Sequence, residues 1–262
     1  MAVIGAVLGD IAGSRFEFNR PSGLDPDTCE LFTEESRFTD DTVMTLAVKK
    51  ALEENLDMGD TMREMGQCYP DCGYGERFYK WILQKEMGPY NSYGNGSAMR
   101  VSFVGEYFEN LEDVIKEAEK TAKVTHDHPE GIKGAVVTAV CIWMARQGKS
   151  KGEIYDYVLK QYPPENYRFS IGRDMKYLER EYTWSVTCMD SVPVAMRCFY
   201  ESTSFESFMR KLFRLDCDCD TLGAIGGAVA EEYYHGTGFE TDKILKKFLD
   251  ERLYTILTGK EK

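Results

Sequence analysis

What this 262-residue sequence lacks narrows its reading before any motif is considered. It has no basic excess: 32 Lys and Arg against 44 Asp and Glu leave a net charge of −12, and no basic stripe interrupts the acidic background. That argues against an electrostatically driven nucleic-acid or anionic-membrane surface. A small anion held by local amides or a metal ion stays open. No apolar run approaches the length that crosses a bilayer. The N-terminal "MAVIGAVLGDIAGSRFEF" is short, has no basic start and carries Asp10, so it reads as a buried first helix and not as a leader. Linker-like stretches, fixed-period repeats and low-complexity segments are also missing, and the chain reads as one domain, 1–262. Its eight cysteines are scattered, without a secretory leader, which fits reduced thiols in the cytoplasm. Zinc on Cys68, Cys72, Cys217 and Cys219 with His126 and His128 fails on spacing, because C-x3-C and C-x-C are not paired C-x2-C knuckles.

Strict alternation of apolar and polar residues is nearly absent too, leaving "YTWSVT" (182–187) as the one short strand expected. What is present is helical periodicity. Val43, Leu46, Ala47 and Ala51 share a stripe, as do Leu111, Val114, Ile115, Ala118 and Ala122. "PEGIKGAVVTAVCIWMARQGKS" opens on Pro129 and stops at Gly148, as a helix should. "SVPVAMRCFYES", "SFESFMRKLFRL" and "TDKILKKFLDERLYTIL" are further helices by the same reading. The expected fold is all-α, a single compact multi-helix orthogonal bundle. Two segments, "AVIGAVLGDIAG" and "TLGAIGGAVAEEYYHG", are rich in Gly and Ala, which weakens a helix but allows close backbone approach. They are expected to cross tightly at the centre.

Acidic residues with a threonine precede a buried-looking helix twice: Thr39, Asp40, Asp41 and Thr42 in "FTDDT", and Asp216, Asp218, Asp220 and Thr221 in "DCDCDT". One Asp or Thr at such a place is a helix cap. Two or three crowded carboxylates repel one another unless a cation compensates, and oxygen-only donors suit Mg2+, Mn2+ or Ca2+. Spacing alone leaves capping and metal binding both open. Between these clusters lies "PYNSYGNGSAMRVS" (89–102), a Gly- and Asn-rich loop running into a helix near Ser97, with backbone N–H groups suited to phosphate or to a plain turn. Then comes "VTHDHPEG" (124–131), where His126 and His128 could hydrogen-bond a sugar or phosphate.

The ordered set "GDIAGSRFEF", "FTDDT", "YNSYGNGSAMRV", "THDHPEGIKGA" and "DCDTLGAIGGAVAEEYYHG" resembles the ADP-ribosylglycohydrolase family over about residues 3–236. The resemblance implies a cleft with a binuclear centre of two divalent cations, Mg2+ or Mn2+. It implies metal ligation by Thr39, Asp40, Asp41, Asp218, Asp220 and Thr221, and proton handling by Glu17, Asp41 or Asp218. It further implies a diphosphate cradle at Ser92, Tyr93, Gly94, Asn95 and Gly96, an ADP-ribose contact from His126, and a further glycine turn at Gly73, Tyr74 and Gly75. The implied activity is hydrolysis of the bond between ADP-ribose and its acceptor, on an ADP-ribosylated protein or a small conjugate; apart from the resemblance, a monomer is expected. Arginine-linked substrates are favoured, since a guanidinium is drawn to acidic surroundings. One departure stands out: Asp216 and Cys217 occupy positions where the family commonly has Gly-Gly. It keeps an alternative in view, a non-catalytic module that binds ADP-ribose.

Overall fold

The first helix explains how the rest is arranged. In the computed structural model, which describes residues 2–18 and 20–262, it spans Ala2–Gly13 (α1), and 11 of its 12 residues are buried. A helix apolar all round cannot lie on a surface. The others follow as α2 (Asp40–Glu53), α3 (Met58–Cys68), α4 (Glu76–Leu83), α5 (Gly96–Met99), α6 (Ser102–Tyr107), α7 (Leu111–Lys123) and α8 (Pro129–Arg146). The second half holds α9 (Lys151–Gln161), α10 (Met175–Glu181), α11 (Cys188–Glu201), α12 (Phe205–Leu212), α13 (Cys219–Tyr234), α14 (Thr241–Phe248) and α15 (Glu251–Thr258). Among the described residues there is no strand, and the fold is all-α.

α1 and α13 are the most extensively packed pair, running antiparallel with Gly5, Gly9 and Gly13 facing Gly227, Gly223 and Cys219. A Cβ on Gly9 would fall 2.0 Å from the Gly223 carbonyl oxygen, and one on Gly223 would fall 2.5 Å from that of Gly9. Only hydrogen fits there, so the helix propensity that glycine sacrifices, about 1 kcal/mol per residue, is exchanged for backbone contact. The expected central crossing of the two small-residue helices is observed. Its consequence is that the end of α1 bearing Asp10 and Gly13 sits beside the start of α13, which Asp218 and Asp220 occupy.

Two local expectations are corrected. "YTWSVT" is not a strand: Tyr182 ends α10, and only an isolated antiparallel bridge joins Thr187 to Gly94. Among the described residues it has no neighbouring strand to pair with, so its backbone serves a loop instead. Val186 O accepts from Asn95 N at 2.8 Å, and Cys188 N donates to Tyr93 O at 2.9 Å. "TDKILKKFLDERLYTIL" is two helices, because Leu249 turns extended and the Asp250 side chain accepts from Leu253 N, starting α15 afresh.

Candidate metal centre and its cleft

At the start of α2, Thr39 is the cap: its side chain accepts from Asp41 N. Asp40 and Asp41 are therefore released from capping. At the start of α13, Asp218 occupies the cap position without making a side-chain cap bond. Its Oδ2 instead accepts from Asn95 Nδ2 at 2.8 Å, and the same amide donates to Ser191 Oγ at 3.0 Å. Capping thus accounts for the threonine of the first cluster and for neither carboxylate pair.

The two helix starts converge. Oxygens of Asp10, Asp41 and Asp220 lie within 4.8 Å of one another, as do those of Glu17, Asp218 and Asp220, so Asp220 belongs to both groups. Thr221 Oγ1 donates to Asp41 Oδ2 across the two clusters at 3.2 Å. Asp40 is half-buried and lines the cleft but belongs to neither trio. The backbone N–H of Asp40 donates to Cys72 O at 2.9 Å, which holds the Gly73 turn over it; Gly73 has φ +96°, and a Cβ there would meet Asp40 Oδ1 at 3.6 Å.

Asp10 belongs to this site although the sequence reading used it only to argue against a leader. One Asp10 oxygen accepts from Thr39 Oγ1 at 2.8 Å; the other accepts from Thr39 N at 2.9 Å, Thr42 N at 3.1 Å and the Thr42 hydroxyl. Asp10 positions the first turn of α2. The available signal was a carboxylate inside an otherwise apolar helix, since a buried charge without partners is strongly disfavoured.

Burial pushes the Asp10 carboxyl up to about 6 even against those four hydrogen bonds. Glu17 is raised to about 7, by burial first and by Asp218 second. Asp40, Asp41 and Asp220 are held well above the ordinary carboxylate range, by burial and then by the surrounding like charges. Asp218 is also raised by burial, with Asn95 pulling it back. Carboxylates so crowded need protons or a cation. The donor set is oxygen throughout, and Asp41 Oδ1 is buried without a hydrogen-bond partner among the described residues. These residues fit a hard divalent cation.

The cleft has a volume of about 400 Å³ and is lined both by Glu17, Asp40, Asp41 and Asp218 and by residues of the glycine loop. Ser92, Gly94, Asn95, Gly96, His126 and Gly73 line it. Tyr93 is not among its lining residues and stands edge-on to His128, with ring centroids 5.2 Å apart. His128 caps α8 by accepting from Glu130 N, so of the two histidines only His126 meets the cleft. Asp216 is exposed, whereas Cys217 Sγ turns inward to Cys219 Sγ at 3.3 Å and Leu212 O at 3.8 Å. Sequence reasoning also passed over Phe18 and Trp184, two exposed aromatics on the cleft lining, and Arg100, a buried cation there.

Comparison with known proteins adds three findings. The family model described as ADP-ribosylglycohydrolase matches residues 1–234. The chain is 28% identical to ADP-ribosylhydrolase ARH3 of Mus musculus, with 88% of this chain and 82% of that protein covered; for the Homo sapiens protein of that name the values are 27%, 88% and 83%. A solved structure titled ADP-ribosylglycohydrolase-related protein complex shares the fold with a TM-score of 0.72 at 22% identity, covering 97% of this chain and 93% of that one.

Proposed function

The chain belongs to the ADP-ribosylglycohydrolase family, and from that premise we propose that its acidic cleft is where ADP-ribose is cut from its acceptor. The activity is that of a hydrolase acting on ADP-ribose glycosidic bonds. The observation that carries the placement is the convergence of Asp10, Asp41, Asp218, Asp220 and Glu17 in two trios that share Asp220, with Asp41 Oδ1 unmatched by any donor among the described residues.

In this reading Thr39, Asp40, Asp41, Asp218, Asp220 and Thr221 hold two divalent cations, Mg2+ or Mn2+. When bound, such cations supply positive charge that orients sugar hydroxyls and lowers the pKa of water. The protein's own residues do the rest. Ser92 and Gly96 offer backbone amides to the diphosphate and Gly94, whose N–H is donated to Ser92 Oγ, offers close approach, on the wall that Val186 and Cys188 pin by backbone bonds. Asn95 spends its side-chain amide on Asp218 and Ser191, so its part is to join the loop to the carboxylates. Glu17, half-buried and raised to about 7, is the carboxylate suited to exchange a proton near neutrality. Asp41 and Asp218 already accept from Thr221 and Asn95. The transition state has oxocarbenium character, as in other glycosidic cleavages.

For the acceptor, the cleft mouth favours arginine-linked substrates. Phe18 is 74% and Trp184 43% exposed, their ring centroids 6.2 Å apart, and Phe18 directly follows Glu17. Flat aromatic faces beside acidic groups suit a planar guanidinium. The Asp216 and Cys217 departure does not favour the non-catalytic module, because one side chain is exposed and the other points into the core. The remaining parts of the reading are a monomer, one domain over 1–262, supported by a single buried apolar cluster among the described residues, and a cytoplasmic location, supported by eight unpaired cysteines. No helix among the described residues is long and apolar enough to cross a membrane. The test is the double variant Asp40→Asn, Asp41→Asn. It should lose release of ADP-ribose and the rise in melting temperature caused by Mg2+ or Mn2+. Full activity in that variant would sink the site.

A further inference from the structure

Arg100 is fully buried, lines the cleft, and makes no ion pair among the described residues. A guanidinium in that position needs an explanation, because a buried cation without a carboxylate is costly. Its Nη2 donates to Thr121 O at 2.9 Å and to Thr125 Oγ1 at 3.0 Å, while Nε has no hydrogen-bond partner among the described residues. Thr125 Oγ1 in turn lies 2.7 Å from His126 Nδ1. On the far edge of that ring, Nε2 faces the glycine loop: a Cβ added to Gly94 or Gly96 would come within 3.5 Å or 3.3 Å of it.

We propose that Arg100 is a positioning residue that, through Thr125, holds His126 as the neutral tautomer with its proton on Nε2, aimed at the loop. The argument is one of donors and acceptors. A guanidinium only donates, so Arg100 occupies a lone pair of the Thr125 oxygen. The Thr125 proton then goes to whichever neighbour accepts it best. One candidate is the bare Nδ1 of His126; the other is the Tyr90 hydroxyl, which also lies against Thr125. An imidazole nitrogen is the stronger acceptor of the two, and a proton on Nδ1 would sit on the edge facing the cation. With the proton on Nε2, the Thr125 hydroxyl accepts from Arg100 and donates to Nδ1, and the positive charge is farthest from the ring proton. Burial and the Arg100 charge also hold His126 well below the ordinary histidine range, which keeps the ring neutral. The loop therefore gains one fixed N–H donor beside its backbone amides. That this donor meets a diphosphate oxygen rests on the ADP-ribose reading of the cleft; the tautomer itself does not.

The experiment is nitrogen-15 NMR of the histidine rings in the full chain, with ADP-ribose titrations by calorimetry on the same samples. Only three histidines are present, so His126→Gln assigns the signal. The wild type should show a neutral ring protonated on Nε2, unchanged between about pH 5.5 and 8. Thr125→Val, which keeps the shape and removes the relay, should scatter the ring signal between tautomers and weaken ADP-ribose about tenfold. Thr125→Ser should restore both. Arg100→Gln, which removes the charge facing Nδ1, should likewise scatter the ring signal between tautomers while burial keeps the ring neutral; if that variant does not fold, Thr125→Val decides alone. A wild-type ring protonated on Nδ1, or a Thr125→Val variant with unchanged signal and affinity, overturns the proposal. The expected ring signal in a wild type that does not bind ADP-ribose would uphold the relay and overturn the reading of the cleft.

Discussion

Replacing Gly9 by Ala tests the link from helix packing to the metal centre. The added Cβ would lie 2.0 Å from the Gly223 carbonyl oxygen and 2.3 Å from its carbon, both backbone atoms that cannot rotate away. To reach 3.0 Å, below which real Cβ contacts are essentially never found, α1 and α13 must separate by about 1 Å or shear along each other. Overpacking of this kind costs about 1–3 kcal/mol, and the better helix propensity of alanine returns about 1 kcal/mol of it. The net loss should be up to about 2 kcal/mol, or a few degrees in Tm. The functional loss should be larger. Asp10 follows Gly9 on α1, Asp220 opens α13, and their oxygens must stay within 4.8 Å of each other and of Asp41. The assay is thermal unfolding with chelator and with Mn2+, alongside ADP-ribose release. Gly152→Ala is the control: Gly152 is exposed on α9, with only the Ser150 hydroxyl within 4 Å. It should stabilise the fold by about 0.4–1 kcal/mol. If Gly9→Ala melts like wild type and keeps its full Mn2+ response, the argument that the glycine stripe sets the site geometry is refuted.

Asp10→Asn should lower metal affinity at least tenfold without touching a proposed ligand, since the amide cannot accept all four bonds from Thr39 and Thr42; isothermal titration with Mn2+ measures it. Metal-free protein should lose stability as pH rises. Asp10 and Glu17 have folded values of about 6 and 7 against ordinary values of 3.8 and 4.5, so the folded state binds more protons than the unfolded one in between. For Asp10 alone the loss is on the order of 3 kcal/mol, complete by about pH 7. Chelated samples melted from pH 4 to 7.5 should show this decline, and a flat profile would contradict it. Trp184→Ala should slow release from arginine-linked substrates more than from serine-linked ones, and equal effects would count against the aromatic mouth. Asp216→Gly should leave the metal-dependent rate within about threefold, because this exposed side chain stands clear of the carboxylate trios.

Much of this protein was decided by local pattern. Apolar residues at helical spacing, Pro129 at a helix start and glycine-rich helices at both ends of the motif series specify an all-α fold, because those signals act within one or two turns. The order of motifs likewise pointed to the carboxylate cleft and to the family. Local pattern misjudged 182–187, where extended backbone without a neighbouring strand pairs with a loop, and the break at Leu249, where a single aspartate cap outweighed continuous periodicity. Tertiary structure alone decided which carboxylates meet. Thr39 caps while Asp41 does not, Asp220 joins both trios, and Asp10 arrives from another helix to hold the first turn of α2. The roles of Arg100 and Thr125 were equally invisible in the chain, since a hydrogen-bond relay exists only once α5, α7 and the His126 loop are folded together. The physical reason is separation: periodicity and capping are encoded between neighbours, but the charge and the hydrogen-bond partners of a buried group depend on residues brought in from far along the chain.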